Sequence, residues 1–188
     1  IETRLIYIED IGVDINGKFT DLQDETISNL FKLYPWEWIM ADDFGKHVPS
    51  SDISFIEPPW KAILSNKGLL PLLWEMFEGH PNLLPAYFED DPEISTLEGN
   101  YVRKPLFSRE GENIEIFESG HQTLKAEGVY GAEGYIVQQL NPLPNFGTRY
   151  PVIGSWIVAS ESCGMSIRED STLITGDDAH FIPHVIYS

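Results

Sequence analysis

With 188 residues, 42% of them hydrophobic and 12% aromatic, the chain has enough apolar side chains for one packed domain and too many for a disordered segment. Its 30 acidic residues against 12 basic ones leave a net charge of −18. This charge excludes nucleic acid as a partner, because such binding depends on neutralising phosphates, and it suits cationic small molecules such as amines. No apolar run approaches the roughly 18 residues that span a membrane, so no membrane partner is expected.

The first half of the chain mixes short strands with helices. The clearest helix is predicted over 68–77, where large apolar residues recur every three or four positions, and Gly79 ends it. A composition change near Asn100 separates this half from the rest of the chain. The other predicted elements of this half are strands over 4–8, 27–33 and 53–56, a turn over 12–17, and a helix that begins at Pro35.

The second half is rich in predicted strands with Gly, Pro or Asn between them. A polar, Gly-rich stretch over 120–134 is predicted to be a connecting loop. We therefore predict the α+β class, with a largely antiparallel sheet in the back half of the chain. The predicted strands cover 101–105, 114–117, 135–140, 152–160 and 164–168.

The single cysteine, Cys163, excludes an internal disulfide and any zinc site built from several cysteines. It lies in the apolar stretch 157–167, where a buried structural thiol is expected and a nucleophile is the alternative. The scarcity of cysteine indicates a reduced, cytoplasmic setting.

Positive charge is concentrated in one short stretch. Arg103, Lys104 and Arg109 fall within seven residues of a strongly acidic chain, which indicates a site for an anion. A predicted strand ends near Lys104, and a flexible turn with Ser108 and Gly111 follows. Such a hairpin tip can fold over a phosphate chain, because glycine lets the backbone approach and the cations supply charge. The alternative is a charged tip that is simply exposed.

Two later segments have the same double interpretation. The apolar stretch 135–144 runs into a Pro-rich loop, which is either a hinge that offers backbone groups to an adenine ring or a core strand that leaves its sheet. Arg168 stands at the end of a predicted strand, beside Glu169 and Asp170. It is either part of a surface ion pair or a fork for a transferring phosphoryl group.

Together these segments resemble the glutathionylspermidine synthase family, that is, its synthetase part and the stand-alone relatives that lack the amidase domain. The resemblance covers residue 57 to the C-terminus well and the first 50 residues faintly. The motifs that carry it are Glu57-Pro58-Pro59-Trp60, Ser65-Asn66-Lys67, Leu69 to Trp74, Lys104-Pro105, Ser108 to Gly111 with Asn113, Gln138-Gln139-Leu140, Gly154-Ser155-Trp156 and Ile167 to Asp170.

This resemblance implies an ATP-grasp-like fold, of which residues 1–188 are a partial synthetase domain with a front α/β segment, 1–60, and a nucleotide-binding segment, 61–188. It implies an ATP-dependent carboxylate–amine ligase that acts through an acyl phosphate. The substrates would be a glutathione- or peptide-like acid and a polyamine-like amine. The alternative is a non-catalytic nucleotide-binding or interaction module that keeps only part of the fold.

The resemblance also assigns site residues. Arg109 and Arg168 would be catalytic, because both would stabilise the charge of the transferring group. Magnesium would accompany ATP, with its ligands upstream of this chain and none within it. A missing upstream lobe or a homo-oligomer would cover exposed apolar surface at Trp36, Trp38 and Trp60. The nucleotide-binding residues would be Lys67, Lys104, Ser108 and Gly111 at the phosphates, and Gln138, Gln139, Leu140, Leu173 and Ile174 around adenine.

Overall fold

The computed structural model describes residues 2–186 and divides the chain into two compact units, residues 1–65 and 66–188. Both units combine helices with small sheets, and most of the strand pairs are antiparallel. The predicted mixed class with antiparallel sheets is therefore confirmed. Of the helices within residues 2–186, none has both the length and the apolar character needed to cross a lipid bilayer.

The first unit is built from short elements. Two strands form an antiparallel hairpin, and two others pair in parallel. In chain order the elements are β1 (Gly12–Val13), β2 (Phe19–Thr20), β3 (Asn29–Phe31), α1 (Trp36–Ala41), β4 (Ser54–Ile56) and α2 (Ala62–Ser65), with 3-10 turns over Ile8–Asp10, Gly45–Ser50 and Pro59–Lys61.

The strand predicted over 4–8 is wrong. This stretch is irregular and leads into the 3-10 turn at Ile8–Asp10. Four of its five side chains are exposed, including Leu5 at 91%, and the guanidinium of Arg4 pairs with the carboxylates of Asp21 and Glu25 instead of facing a core. A strand forms only where a neighbour completes its backbone hydrogen bonds, and no strand is paired with this stretch within residues 2–186.

Trp36 belongs to the core of the first unit, so its predicted exposure is wrong. Its side chain is 3% exposed, packs edge-on against Phe55 at 4.8 Å between ring centroids, and donates its indole N–H to the carbonyl of Glu57 at 3.3 Å. Trp38 and Trp60 are 41% and 59% exposed, as expected. Trp36 and Trp38 lie on opposite sides of α1, because residues two apart do not share a helix face.

The second unit contains a helix and a five-stranded antiparallel sheet. The helix starts and ends within one residue of its prediction, and β6 has the predicted bounds. The strand order is β5-β9-β6-β7-β8, so β6 and β9 lie in the centre. The elements are α3 (Leu69–Met76), β5 (Ala86–Phe88), β6 (Tyr101–Pro105), β7 (Glu115–Glu118), β8 (His121–Lys125) and β9 (Tyr135–Gln139).

β8 lies where a connecting loop was predicted, and that part of the loop prediction is wrong. The strand is polar because it is the outermost one, and four of its five residues are exposed. Ser119 and Gly120, both with positive φ (51° and 79°), form the tight turn that returns the chain antiparallel to β7.

A second antiparallel sheet completes this unit. Its three strands are β10 (Tyr150–Val158), β11 (Glu161–Asp170) and β12 (His180–Ile182), in that order. Both predicted strands of the long hairpin are confirmed. The expected burial of Cys163 is wrong, because it lies at the far end of the hairpin, residues 153–165, where the side chains of both strands are exposed.

Candidate functional site

Lys104 and Gln138 form the centre of the candidate site, on one face of the five-stranded sheet. Lys104 pairs with Ile136 and Gln138 with Val102 across β6 and β9, which places the two side chains diagonally on the same face. The Nζ of Lys104 donates to the Oε1 of Gln138 at 2.7 Å. Gln138 is 8% exposed, so this bond satisfies a buried amide oxygen.

Burial lowers the pKa of the Lys104 ammonium below the usual lysine range. Its only hydrogen-bond partner among residues 2–186 is the neutral amide of Gln138, and none of their carboxylates forms an ion pair with it. A desolvated cation without a counter-charge is costly to the fold. An anionic group that reached this position would therefore bind favourably.

Arg103 is not part of the anion site, and its grouping with Lys104 in one cationic cluster is wrong. Adjacent residues of a strand point to opposite faces of a sheet. On the opposite face, the guanidinium of Arg103 lies 3.4 Å from the ring centroid of Tyr135, 2.6 Å from a carboxylate oxygen of Glu89 and 3.3 Å from one of Glu115. Its charge stabilises the sheet.

Lys67 joins the start of α3 to the loop that follows β6. Its backbone N–H donates to the carbonyl of Leu106 at 2.8 Å. Its Nζ donates to the Oγ and the carbonyl of Ser108, at 2.8 and 3.0 Å. The structure therefore brings together two residues that the sequence placed at the phosphates although 41 positions separate them.

Gly111 packs against the segment that follows β11. Its φ of +78° favours glycine, and a Cβ at this position would lie 2.5 Å from a methyl carbon of Ile174 and 2.9 Å from the carbonyl of Thr175. Ile174 is itself buried, at 8% exposure. The predicted phosphate loop and the predicted adenine pocket are thus in direct contact.

Asp170 closes the loop that carries Leu173 and Ile174. Its carboxylate accepts the backbone N–H groups of Gly176 and Thr172, at 2.9 and 3.2 Å. The hydrogen bond from Gly176 is the main reason that the pKa of Asp170 lies below the usual aspartate range. Sequence reasoning missed this role, although an aspartate side chain commonly accepts the backbone N–H two residues further on.

Arg168 lies on β11, half-buried, between Val152 of β10 and Phe181 of β12. The ion pair considered for it with Glu169 or Asp170 does not form. Glu169 is 3.8 Å from the guanidinium of Arg149. With the residues that the structure describes, Arg168 makes neither a hydrogen bond nor an ion pair.

The predicted adenine hinge runs from a buried end to an exposed one. Gln138 is buried, Gln139 is exposed and Leu140 is half-buried. The backbone N–H of Gln139 donates to the carbonyl of Pro85 at 2.8 Å, and that of Leu140 to the carbonyl of Asn100 at 3.1 Å. Both N–H groups are therefore used within the protein, so a ligand would meet the side chains of this segment.

Arg109 lies in the exposed part of the loop between β6 and β7, where its carbonyl accepts the N–H of Glu112 at 2.9 Å. It is therefore carried by the same loop as Ser108 and Gly111. Over residues 2–186, no group of three or more His, Cys, Asp or Glu side chains is arranged to hold a metal ion.

Comparison with known proteins gives this geometry a family. The profile of the family described as "Glutathionylspermidine synthase preATP-grasp" matches residues 1–187. A protein of Haemophilus influenzae to which acid–amine ligase activity is ascribed is 46% identical over 184 residues, which cover 94% of this chain and 47% of that protein.

More distant relatives carry more specific names. Trypanothione synthetase of Crithidia fasciculata is 30% identical over 188 residues, 88% of this chain and 28% of that protein. The bifunctional glutathionylspermidine synthetase/amidase of Escherichia coli is 26% identical over 212 aligned positions, 98% of this chain and 34% of that protein. The chain thus spans half or less of the length of each of these relatives.

Proposed function

Because the chain belongs to the glutathionylspermidine synthase preATP-grasp family, we propose that it forms the nucleotide-binding part of an ATP-dependent ligase that joins a carboxylate to an amine. The observation that carries the proposal is the ammonium group of Lys104. Burial lowers its pKa, its one hydrogen-bond partner within residues 2–186 is an amide, and the loop held by Lys67 follows it directly in the chain.

The residues present fit a nucleotide triphosphate. Among residues 2–186, no carboxylate pairs with Lys104, so a phosphate would supply its counter-charge, and hydrogen bonds to Ser108 hold Lys67 where the loop begins. A side chain on Gly111 would collide with Ile174, so glycine lets this loop pack against the segment that carries Leu173 and Ile174. These features support the assignment of Lys67, Lys104, Ser108 and Gly111 to the phosphates.

The remaining assignments follow from the same proposal. Gln138, Gln139 and Leu140 form one edge of the adenine site. The other edge is the turn with Leu173 and Ile174 that Asp170 closes. Gly111 is assigned to the phosphates and Ile174 to adenine, and the contact between them supports the assignment of both to one nucleotide. Within this proposal the chain is the C-terminal portion of an ATP-grasp fold.

ATP, as its magnesium complex, would supply the phosphoryl group that converts the acid to an acyl phosphate, and ADP would leave. The amine would then attack the acyl carbon and lose a proton, and inorganic phosphate would be released. The part of this chain is to position and neutralise charge, which dominates catalysis of phosphoryl transfer. Arg109 lies in the exposed part of the loop between β6 and β7, and Arg168 lies half-buried on β11. The planar guanidinium of each can donate two parallel hydrogen bonds to phosphoryl oxygens. We assign them to the developing negative charge.

The substrates are proposed from the relatives' names. Two of them are glutathionylspermidine or trypanothione synthetases, which points to a glutathione- or peptide-like acid and a polyamine-like amine. The net charge of −18 supports the amine, because a polyamine at neutral pH is a polycation that an acidic surface attracts.

The test is the substitution Arg109→Ala in the complete protein. We expect ADP release in the presence of both substrates to fall about 100- to 1,000-fold, as for loss of one transition-state donor. The dissociation constant for ATP should change only a few-fold, because Lys67 and Lys104 remain. Coupled ADP assays and calorimetric titration measure the two quantities.

Arg4→Ala is the matched control, since within the described residues Arg4 pairs with Asp21 and Glu25 of the first unit, and it should leave both quantities unchanged. Normal turnover of Arg109→Ala would remove Arg109 from the mechanism. A parent protein that binds ATP and never releases ADP, with acid and amine both present, would instead be a non-catalytic nucleotide-binding module.

A further inference from the structure

A short segment of the β8–β9 connection lies against the loop that carries Arg109. We call residues 126–131 the arm and residues 108–113 the tip. The backbone N–H of Tyr130 donates to the Oδ1 of Asn113 at 2.8 Å. That of Val129 donates to the Oε2 of Glu112 at 3.2 Å, and at the base of the arm Ala126 donates to the carbonyl of Ile114 at 2.9 Å. Side chains of the tip therefore hold the backbone of the arm.

Packing shows how close this contact is. A Cβ added to Gly128 of the arm would lie 2.5 Å from the Cβ of Glu112 and 2.6 Å from the Oδ1 of Asn113. Gly128 has no positive φ, so its conformation is open to any residue. The contact with the tip is what requires glycine here.

The tip has a backbone conformation that needs external support. Glu110, Gly111 and Asn113 all have positive φ, at 51°, 78° and 54°, and non-glycine residues in this region persist only where surrounding contacts hold them. Gly111 packs on Ile174 from one side. The arm holds Asn113 from another.

We propose that Asn113 is a positioning residue for ATP: through the arm it fixes the tip, and with it Gly111 and Arg109, in the conformation that receives the phosphates. The inference rests on the proposed function. Glu112 assists, because its bond with Val129 turns the carboxylate toward the arm. An anion left beside the phosphate site would repel the ligand.

We call the contact between Asn113 of the tip and the backbone of the arm the latch, and the test perturbs it from both sides in the complete protein. Asn113→Ala removes the acceptor, and Gly128→Ala pushes the arm off the tip without changing any residue of the tip. Asn100→Ala is the matched control, because the Oδ1 of Asn100 accepts the N–H of Ser119 at 3.1 Å. This is the same kind of bond at the opposite end of the β6–β7 pair.

Two readouts are measured for each variant. Hydrogen exchange without nucleotide reports the order of the tip. The KM for ATP and kcat report how the order of the tip affects ATP binding and turnover. We expect both latch variants to speed exchange over 109–113 and 129–130 and to raise the KM about two- to tenfold, the effect of one lost hydrogen bond. The kcat should fall as well, but by less than in Arg109→Ala, because Arg109 is displaced and not removed. Asn113→Asp keeps the acceptor oxygen and should restore slow exchange.

Asn100→Ala should speed exchange only near Ser119 and leave the KM for ATP unchanged. The proposal would be overturned if the tip of Asn113→Ala and Gly128→Ala exchanged hydrogen at the same rate as in the parent protein. It would also be overturned if exchange were faster but the KM for ATP were that of the parent. If the parent protein does not bind ATP, the proposed function fails; exchange alone then decides whether the latch orders the tip.

Discussion

Lys104 is the residue at which the fold and the proposed function have opposite requirements. A lysine whose pKa is lowered by folding holds its proton more weakly in the native state, so its charge costs stability at pH 7. That cost disappears as the pH rises from the folded-state pKa toward the usual lysine value of 10.5. The stability of the protein should therefore contain a contribution that increases over this alkaline window.

Lys104→Met tests this conflict. Methionine keeps the apolar stem and removes the desolvated charge, which offsets the lost hydrogen bond to Gln138. We expect the free energy of unfolding at pH 7 to fall by less than about 1 kcal/mol and the affinity for ATP to fall at least about tenfold. Urea denaturation and calorimetric titration measure the two effects. A strongly destabilised variant would show that the ammonium has a structural role.

Arg103 has the opposite character, because its charge is fully used by the sheet. Arg103→Met removes a stacked cation and two charged hydrogen bonds whose donor side chain is 24% exposed. We expect a loss of about 2 kcal/mol in the free energy of unfolding. Lys125→Met is the control: its partner Glu127 is 3.9 Å away and exposed, and such pairs contribute about 0–1 kcal/mol. Equal losses in the two variants would contradict the structural role.

At the scale of elements, the contact between the tip and the β11–β12 connection can be separated from backbone conformation. Gly111 and Gly120 have nearly the same φ, +78° and +79°. A Cβ at Gly111 meets Ile174, whereas one at Gly120 meets nothing within 4 Å. Both alanine variants have the same conformational cost. Any additional loss of ATP affinity in Gly111→Ala therefore comes from the contact with Ile174.

We therefore expect Gly111→Ala to lower the affinity for ATP at least about tenfold more than Gly120→Ala does, since overpacking costs about 1–3 kcal/mol. Thermal unfolding with and without ATP measures the difference. Parental ATP-induced stabilisation in Gly111→Ala would mean that the tip tolerates displacement and that this contact is not used in binding.

The sequence predicted elements well wherever apolar pattern and punctuation coincided. β6 kept its predicted bounds because the strand ends at Pro105, which cannot extend a central ladder. β8 was missed because an outer strand carries polar residues on both faces, and polarity resembles a loop. Residues 4–8 are rich in branched and aromatic side chains, but within residues 2–186 no strand pairs with them. Pairing is a property of distant residues, and a local pattern does not contain it.

The candidate site was predictable in part for the same reason. Lys67 and Ser108 meet through a contact between distant segments, which the family resemblance supplied and the local pattern did not. The strand predicted over 101–105 already implied opposite faces for Arg103 and Lys104. Charge density alone suggested that they act together. The role of the arm was not predicted, because the arm acts through backbone N–H groups, which almost every residue type has.

At the scale of the whole chain, the net charge of −18 bears on the proposed polyamine substrate. The KM for such a substrate should depend on the salt concentration. Raising the ionic strength screens attraction between an acidic surface and a polycation. We expect the KM for a triamine to rise more steeply with salt than the KM for a monoamine of similar length. Initial-rate assays at several salt concentrations measure both slopes. Equal slopes would show that the acidic surface does not assist substrate binding.

The back-to-back placement of Arg103 and Lys104 makes β6 intolerant of any change in length. Inserting or deleting a single residue ahead of them would turn the arginine toward Gln138 and the lysine toward Tyr135 and two carboxylates, since one step of slippage reverses every side chain of a strand. Homologues should therefore vary in composition along this strand far more readily than in spacing. In a scan of single-residue insertions and deletions across residues 100–105, almost every variant should lose ATP binding. Many point substitutions in the same stretch should keep it.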